Sequence, residues 1–339
     1  MFMKKRLWLV WSMALALFAS CSTISSLQYD SLRPAQFSFP SSVRRVGVIN
    51  NLPRVIADEA SMSRSAGYLL GDGKIVSEAL AEEIAATEYF DEVVICDSAL
   101  CEMTISIKGH QFLRDDWPGN ILSKGKVQEW TDKLGVDMLF SVERVNIEVK
   151  KSANMSNLLY PPTIDGIISV VMRAYVPNRD TSMLTVTRKD TIFWESGPEL
   201  TFTQIVKESS GYVAQMLVPY LIPSWKEDIR FYFEGGNVDM RDAGFYVREH
   251  DWSEAYPLWK KLYDNKKGKQ KMRAAFNLAL YHEMQGEFET ATTYLNEAAN
   301  LAKPETFEAA LIASYRSQLS ERMVEYQRLR LQMQRFEDK

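Results

Sequence analysis

Cysteine and histidine are both scarce, with three of each among 339 residues. Three cysteines cannot make a disulfide-stapled scaffold, and three histidines leave little material for a metalloenzyme. No excess of basic charge exists either: Lys plus Arg number 40 against 44 Asp plus Glu, a net charge of -4. Lys4, Lys5 and Arg6 fall in a leading stretch of 20 residues that holds no acid, so the remainder is more acidic still. Nucleic acid is excluded as the main partner, because phosphate binding needs a cationic surface. What is present suits a folded chain: 46% hydrophobic and 25% charged residues, with length enough for two domains.

The basic residues at 4–6 precede the apolar run Leu7–Ala19, which ends in Ser20-Cys21. That run is shorter than the ~18 apolar residues of a membrane span and reads as the core of a secretory signal, residues 1–20. Small residues directly before Cys21 resemble a bacterial lipobox, although Phe18 stands where Leu or a β-branched residue is preferred. The resemblance implies lipidation of Cys21, which would become the first residue. No acid follows in Ser22-Thr23-Ile24-Ser25-Ser26. Bacteroidetes lipoproteins sent to the cell surface carry an acidic cluster there, so the resemblance implies an outer-membrane lipoprotein facing the periplasm.

Residues 21–42, with Pro34 and Pro40, read as a tether, with a short strand open at Phe37 and Phe39. Residues 43–222 read as an α+β domain. Strands are expected at Arg44–Asn50, Asp91–Cys96 and Met103–Ile107, and helices at Lys74–Tyr89 and Ser123–Leu134, the latter stopped by Gly135. Three long strands follow, Val136–Lys150, Ile164–Val176 and Met183–Glu195, then a helix over Thr203–Leu221. In the first long strand Met138, Phe140 and Val142 share one parity while Val145, Ile147 and Val149 take the other. One extra residue near Glu143-Arg144, a β-bulge, restores a common face.

Arg45-Val46-Gly47-Val48-Ile49-Asn50, Phe90-Asp91-Glu92-Val93-Val94, Leu134-Gly135-Val136-Asp137-Met138-Leu139 and Phe193-Trp194-Glu195 resemble the periplasmic domain shared by the TolB N-terminal domain, the CsgG family and the LpoB activators. Arg33-Pro34-Ala35 before Phe37 and Phe39 resembles the lead-in of Bacteroidetes outer-membrane lipoproteins that join this domain to TPR-like helices. The resemblance implies a mixed sheet with packed helices.

Residues 223–237 read as linker, and residues 238–339 as an all-α TPR-like repeat domain. Trp252, Ala255 and Trp259 form one repeat; Gly286, Phe288, Ala291, Leu295 and Ala298 form the next, with Ala255 and Ala291 close to one 34-residue period apart. A divergent third pair is expected at Glu305–Gln318 and Glu321–Phe336. In TPR arrays the first helix of each pair lines a concave groove. Here that groove would hold Met240, Phe276 and Leu280 with Arg273 and Asn277 beside them. Two readings stay open: the groove takes a protein partner, or residues 43–222 bury it.

Chemistry is thin. His282-Glu283 begins a zinc-protease pattern, but Gly286 replaces the second histidine, and without two ligands one turn apart the site cannot form. Ser123-Lys124-Gly125-Lys126 has the Ser-x-x-Lys spacing without its companion motifs. Cys96 and Cys101 are spaced for a small disulfide loop, or stay as thiols. The reading is therefore a lipid-anchored, non-enzymatic adapter with protein partners in the cell envelope and no cofactor, metal, nucleic acid or small-molecule substrate. The alternative is a CsgG-like oligomeric export component, whose hairpin at Pro177 would have to place Arg173, Arg188 and Asp190 toward lipid.

Overall fold

A computed structural model describes residues 24–56, 67–96, 99–100, 104–106, 118–152, 163–197 and 199–337. The chain divides into two compact units that are discontinuous in sequence. A sheet unit takes Pro34–Ser224 together with the chain's end from Leu331. A helical unit takes the segment ending at Arg33 together with Trp225–Arg330.

The first described strand, β1 (Ile24–Arg33), belongs to the helical unit. The sheet unit runs β2 (Arg45–Asn50), β3 (Arg54–Ile56), β4 (Tyr68–Leu70), α1 (Gly73–Ala85), β5 (Glu92–Cys96), β6 (Thr104–Ser106), α2 (Lys124–Leu134), β7 (Met138–Ser152), β8 (Thr163–Tyr175), β9 (Leu184–Glu195) and α3 (Phe202–Leu221). Its main sheet has the order β5-β2-β7-β8-β9, and β4 pairs with the far half of β7. Strand β2 is parallel to β5 and β7, whereas β7, β8 and β9 are antiparallel. The sheet is therefore mixed. Strands β3 and β6 form a separate parallel pair.

Local chemistry accounts for the helix ends. Asp72 caps α1 by accepting from the backbone N–H of Lys74 (2.9 Å) and Ile75 (3.2 Å), which satisfies donors that have no partner inside the helix. Gly135 ends α2 at φ 65°, a left-handed conformation that glycine adopts without Cβ strain. Helix α3 continues two residues beyond Pro219.

One face of the sheet buries Val46, Val48, Phe140, Val142, Val170 and Met172 with residues of α1 and α3 such as Leu80, Ile84, Val213 and Leu217. The β7–β8 register shifts between Val142 and Arg144. This is the expected bulge, and it returns Val145 to that core. Phe37 and Phe39 form no strand; Phe39 instead stacks edge-on against Phe140, with centroids 5.7 Å apart.

Residues 331–337 complete this unit. Gln332, 3% exposed, accepts from Ala35 N–H (2.8 Å) and donates to Ala35 carbonyl (2.9 Å). Arg335 donates to the Val43 carbonyl and stands 4.2 Å over the Tyr89 ring.

The helical unit adds β10 (Ser224–Phe233), α4 (Val238–Arg248), α5 (Trp252–Asn265), α6 (Gly268–Met284), α7 (Phe288–Leu301) and α8 (Phe307–Met333), whose last three residues belong with the sheet unit. Helices α4 to α7 pack each on the next. Among the described residues, strands β1 and β10 pair only with each other. Ser25 bonds Glu234 and Ser31 bonds Asp228, so the ribbon is antiparallel.

Two expectations are corrected. The described part of 21–42 is not a tether, and 223–237 is not a linker, because they hold the two strands of this ribbon. The expected third helix pair is one helix, α8, of 27 residues. Leu319-Ser320-Glu321 contains neither Gly nor Pro, and a single serine costs only about 0.5 kcal/mol of helix propensity.

Removing the Gln332 side chain leaves the buried Ala35 N–H unpaired. Gln332→Ala is therefore expected to destabilise the sheet unit by about 1–3 kcal/mol, measured as a lower urea midpoint with an unchanged m-value.

Candidate functional site

The residues expected to line an open groove are buried: Met240 2%, Arg273 8%, Phe276 1%, Asn277 0% and Leu280 0% exposed. The end of β10 fills their place. Asn277 brackets one peptide unit of that strand, accepting from Phe233 N–H (2.8 Å) and donating to Phe233 carbonyl (2.7 Å). Phe276 meets Phe233 edge-on at 5.1 Å and Tyr315 at 5.2 Å. Arg273 donates to the Gly235 carbonyl (2.9 Å). Partner binding at these five positions is corrected accordingly: all five are buried within their own unit, Phe276 and Asn277 against Phe233 of β10, Arg273 against Gly235, and Met240 and Leu280 in the same core.

The residues assigned to helix contacts lie in the same core. Ala255, Trp259, Ala291, Leu295 and Ala298 are fully buried, as is nearly all of Phe288. Trp252 meets Trp259 at 6.4 Å. Gly286 turns the chain between α6 and α7 at φ 75°.

Beneath the ribbon lies a cluster of charge that the sequence reading did not assemble. Arg230 on β10 forks onto Glu283 of α6, with Nε to Oε2 at 3.1 Å and Nη2 to Oε1 at 2.8 Å. The two side chains are 5% and 0% exposed. Tyr315 of α8 donates to the same carboxylate (2.7 Å), and Arg322 Nε lies 3.5 Å from it. Asp228 accepts from Ser31 and Arg33, and Arg33 also pairs with Glu325. Three arginines thus face three carboxylates. Burial, reinforced by the charge of Glu283, pushes the Tyr29 phenol up to about 12 and Tyr315 well above its ordinary value. Burial works to raise Asp228, but hydrogen bonds from Ser31 and Arg33 outweigh it and hold the carboxyl low. The edge of the cluster opens into a cleft of about 210 Å³ lined by Ser31, Arg33, Trp225, Arg322, Glu325 and Tyr326, among others.

A second polar cluster sits at the bulge of β7. Glu143 is fully buried; it accepts from Tyr175 (2.6 Å) and Ser141 (3.3 Å) and pairs with Arg173. Burial raises its pKa, and these bonds offset only part of the rise. Arg173 also donates to the Pro118 carbonyl (2.8 Å), so the arginine expected on the outward side of the hairpin has a structural partner.

Among the described residues no group of His, Cys, Asp and Glu could hold a metal ion, and no helix is long and apolar enough to cross a membrane. Cys96 is half-buried at the end of β5. Cys101 and Cys21 lie outside the described residues, so their pairing and modification do too.

Residues 43–233, more than half of the chain, match a domain of unknown function, DUF8603. The chain belongs to the DUF8603 family. Its family region therefore ends with β10, the strand that carries Arg230 and Phe233. Residues 241–321 match a second domain of unknown function, DUF6340, which covers the helices holding Glu283 and Tyr315. No curated protein matches the DUF8603 chain. Among solved structures it is similar to the hypothetical protein CT253 from Chlamydia trachomatis, at 8% identity over 52% of this chain and 96% of that one, TM-score 0.28. It is also similar to a protein described as a neuraminyllactose-binding hemagglutinin homolog from Helicobacter pylori, at 9% identity over 54% and 87%, TM-score 0.26.

The charge cluster predicts a contrast between single and double variants. Glu283→Ala leaves Arg230 buried and unpaired, and is expected to cost about 3–5 kcal/mol. Arg230→Met with Glu283→Leu should recover most of that loss, because the desolvation of both charges disappears. Chemical denaturation of the four members of the cycle checks it.

The tyrosines supply a pH dependence. A phenol raised from 10 to about 12 contributes stability that is complete below pH 10 and is lost as pH climbs toward 12. Alkaline unfolding should therefore begin above pH 10. Tyr29→Phe should flatten that part of the profile, followed by circular dichroism.

Proposed function

We propose that the protein is a lipid-anchored, non-enzymatic adapter of the outer membrane, held on the periplasmic side through Cys21 and bound to protein partners of the cell envelope. The feature that carries this reading is the lipobox-like segment: Lys4, Lys5 and Arg6 precede the apolar run Leu7–Ala19, which ends in Ser20-Cys21. Strand β1 of the helical unit starts at Ile24, three residues after that cysteine. An acylated Cys21 then holds the helical unit close to the bilayer, because three residues span at most ~11 Å. Two or more acyl chains make such an anchor stable.

Internal neutralisation of the polar clusters supports the non-enzymatic part. Glu283 and Glu143 are engaged by arginine and tyrosine partners within their own units, whereas a general base needs a proton to take from a substrate within hydrogen-bond reach. In this reading the sheet unit is of the TolB-N, CsgG and LpoB kind, and α4–α7 are two TPR-like helix pairs. Their groove is occupied by β10, so partners meet outer surfaces.

Metabolic labelling with a fatty acid tests the anchor: wild type should take up label and Cys21→Ala should not, with the variant leaving the membrane fraction. Equal labelling of both would overturn it. Crosslinking in cells followed by mass spectrometry tests the adapter role; a chain crosslinked to no envelope protein would overturn that part.

A further inference from the structure

The β1–β10 ribbon is inverted relative to an ordinary amphipathic sheet. Its inward face carries Tyr29, Ser31, Asp228 and Arg230 as well as Leu27 and Tyr232. Its outward face on β10 carries Trp225, Ile229 and Phe231, which are 70%, 46% and 44% exposed. Side chains alternate along a strand, so a slip of one residue would exchange these sets and bury the three apolar residues. The buried Arg230–Glu283 fork and the Asn277 bracket on Phe233 fix the other arrangement. The apolar residues are therefore held outward by the same contacts that stabilise the unit.

We infer that this outward face of the ribbon lies on the lipid bilayer, inserting Trp225, Ile229 and Phe231 at the level of the headgroups and upper acyl chains. The inference rests on the anchored reading above and adds an orientation to it. Chain length selects lipid as the occupant. The expected acylated residue is Cys21, and Ile24 opens the ribbon. The antiparallel pairing of Ser25 with Glu234 and Ser31 with Asp228 sets Phe231 opposite Gln28 and Ile229 opposite Asp30. At ~3.3 Å per residue, Phe231 lies about 13 Å and Ile229 about 20 Å along the ribbon from Ile24. Trp225, opposite position 34, lies about 33 Å along, so a bilayer that holds Cys21 meets the whole outward face when the ribbon lies along its surface. Tryptophan favours the membrane–water boundary, where its ring is apolar and its N–H stays solvated. Glu227 stands between Trp225 and Ile229 on this face and Asp30 opposite Ile229, both exposed, so the face meets the headgroup level rather than the hydrocarbon at these two points and suits zwitterionic lipid better than anionic lipid.

The test uses the full chain and its Ile229→Glu/Phe231→Glu and Trp225→Phe variants, with phosphatidylcholine vesicles brominated in the acyl chains. Fatty-acid labelling of Cys21 is scored separately. Bromine should quench part of the tryptophan emission, and Trp225→Phe should remove that quenched part. The double glutamate variant should melt like wild type and, without lipidation, partition into vesicles about tenfold less or weaker. Adding phosphatidylglycerol should weaken partition. Labelled protein whose quenching is unchanged by Trp225→Phe would overturn the orientation and leave the anchor reading standing. Unlabelled protein would overturn the anchor, while quenching removed by the glutamates would still support the face. Absence of both label and quenching would overturn both. A dimer that the glutamates dissociate, with no quenching, would assign the face to a second copy and overturn the inference.

Discussion

Removing a guanidinium and a carboxylate from water is costly, and the cost is repaid only when the two meet in good geometry with their remaining hydrogen-bonding groups satisfied. Arg230 and Glu283 meet that condition, forked together beneath the ribbon with Tyr315 donating to the same carboxylate. Much of the helical unit follows from it. Arg230 must point inward, which fixes the face of β10. The face of β10 fixes which side chains of β1 stand beside it, so Ser31 and Arg33 meet Asp228. Asn277, about one and two-thirds turns before Glu283 on α6, reads the same strand through its backbone. An apolar seam would tolerate a shift of the ribbon along the helices; a forked ion pair next to a backbone bracket does not.

Chain routing makes this lock a long-range one. Tyr29 and Arg322 are nearly 300 positions apart in sequence yet bonded, and Gln332 and Ala35 are similarly distant. Each unit needs a terminal segment that lies beyond the other unit in sequence order. Such contacts carry a loop-closure cost before they contribute stability, and they are associated with slow folding. The helices of the helical unit can form from local contacts, since α4 to α7 pack consecutively. The ribbon cannot form until the chain between β1 and β10 has been traversed.

This routing also explains what the sequence could disclose. Periodicity located the helices from Gly73 and Lys124, the three long strands and the bulge, because in each case one face is buried against a neighbour of the same unit. Gly135 and Gly286 marked turns because their positive φ values leave little alternative. The ribbon was hidden for a definite reason. Its inward residues Tyr29, Ser31, Asp228 and Arg230 are the residues expected at a surface, and its outward Trp225, Ile229 and Phe231 are those expected in a core. Read by hydrophobic alternation alone, β1 has almost no pattern and β10 has one of the wrong sign. Met240, Phe276, Asn277 and Leu280 are buried together, and the strand that packs on Phe276 and Asn277 lies in the segment that composition reads as linker.

The two polar clusters follow one rule. Glu143 sits where the bulge of β7 breaks the alternation, and Glu283 sits where the ribbon reverses it. In both places a buried carboxylate is matched by an arginine and a tyrosine hydroxyl from other elements. A carboxylate placed this way penalises every neighbouring arrangement, because any slip leaves an unpaired charge in a low-dielectric interior. Apolar cores of similar area would fold as readily and accept several registers. The buried ions therefore make strand position specific: Glu143 reinforces the register that the parity change in β7 already selects, and Glu283 holds one that hydrophobic patterning of β10 alone would reverse.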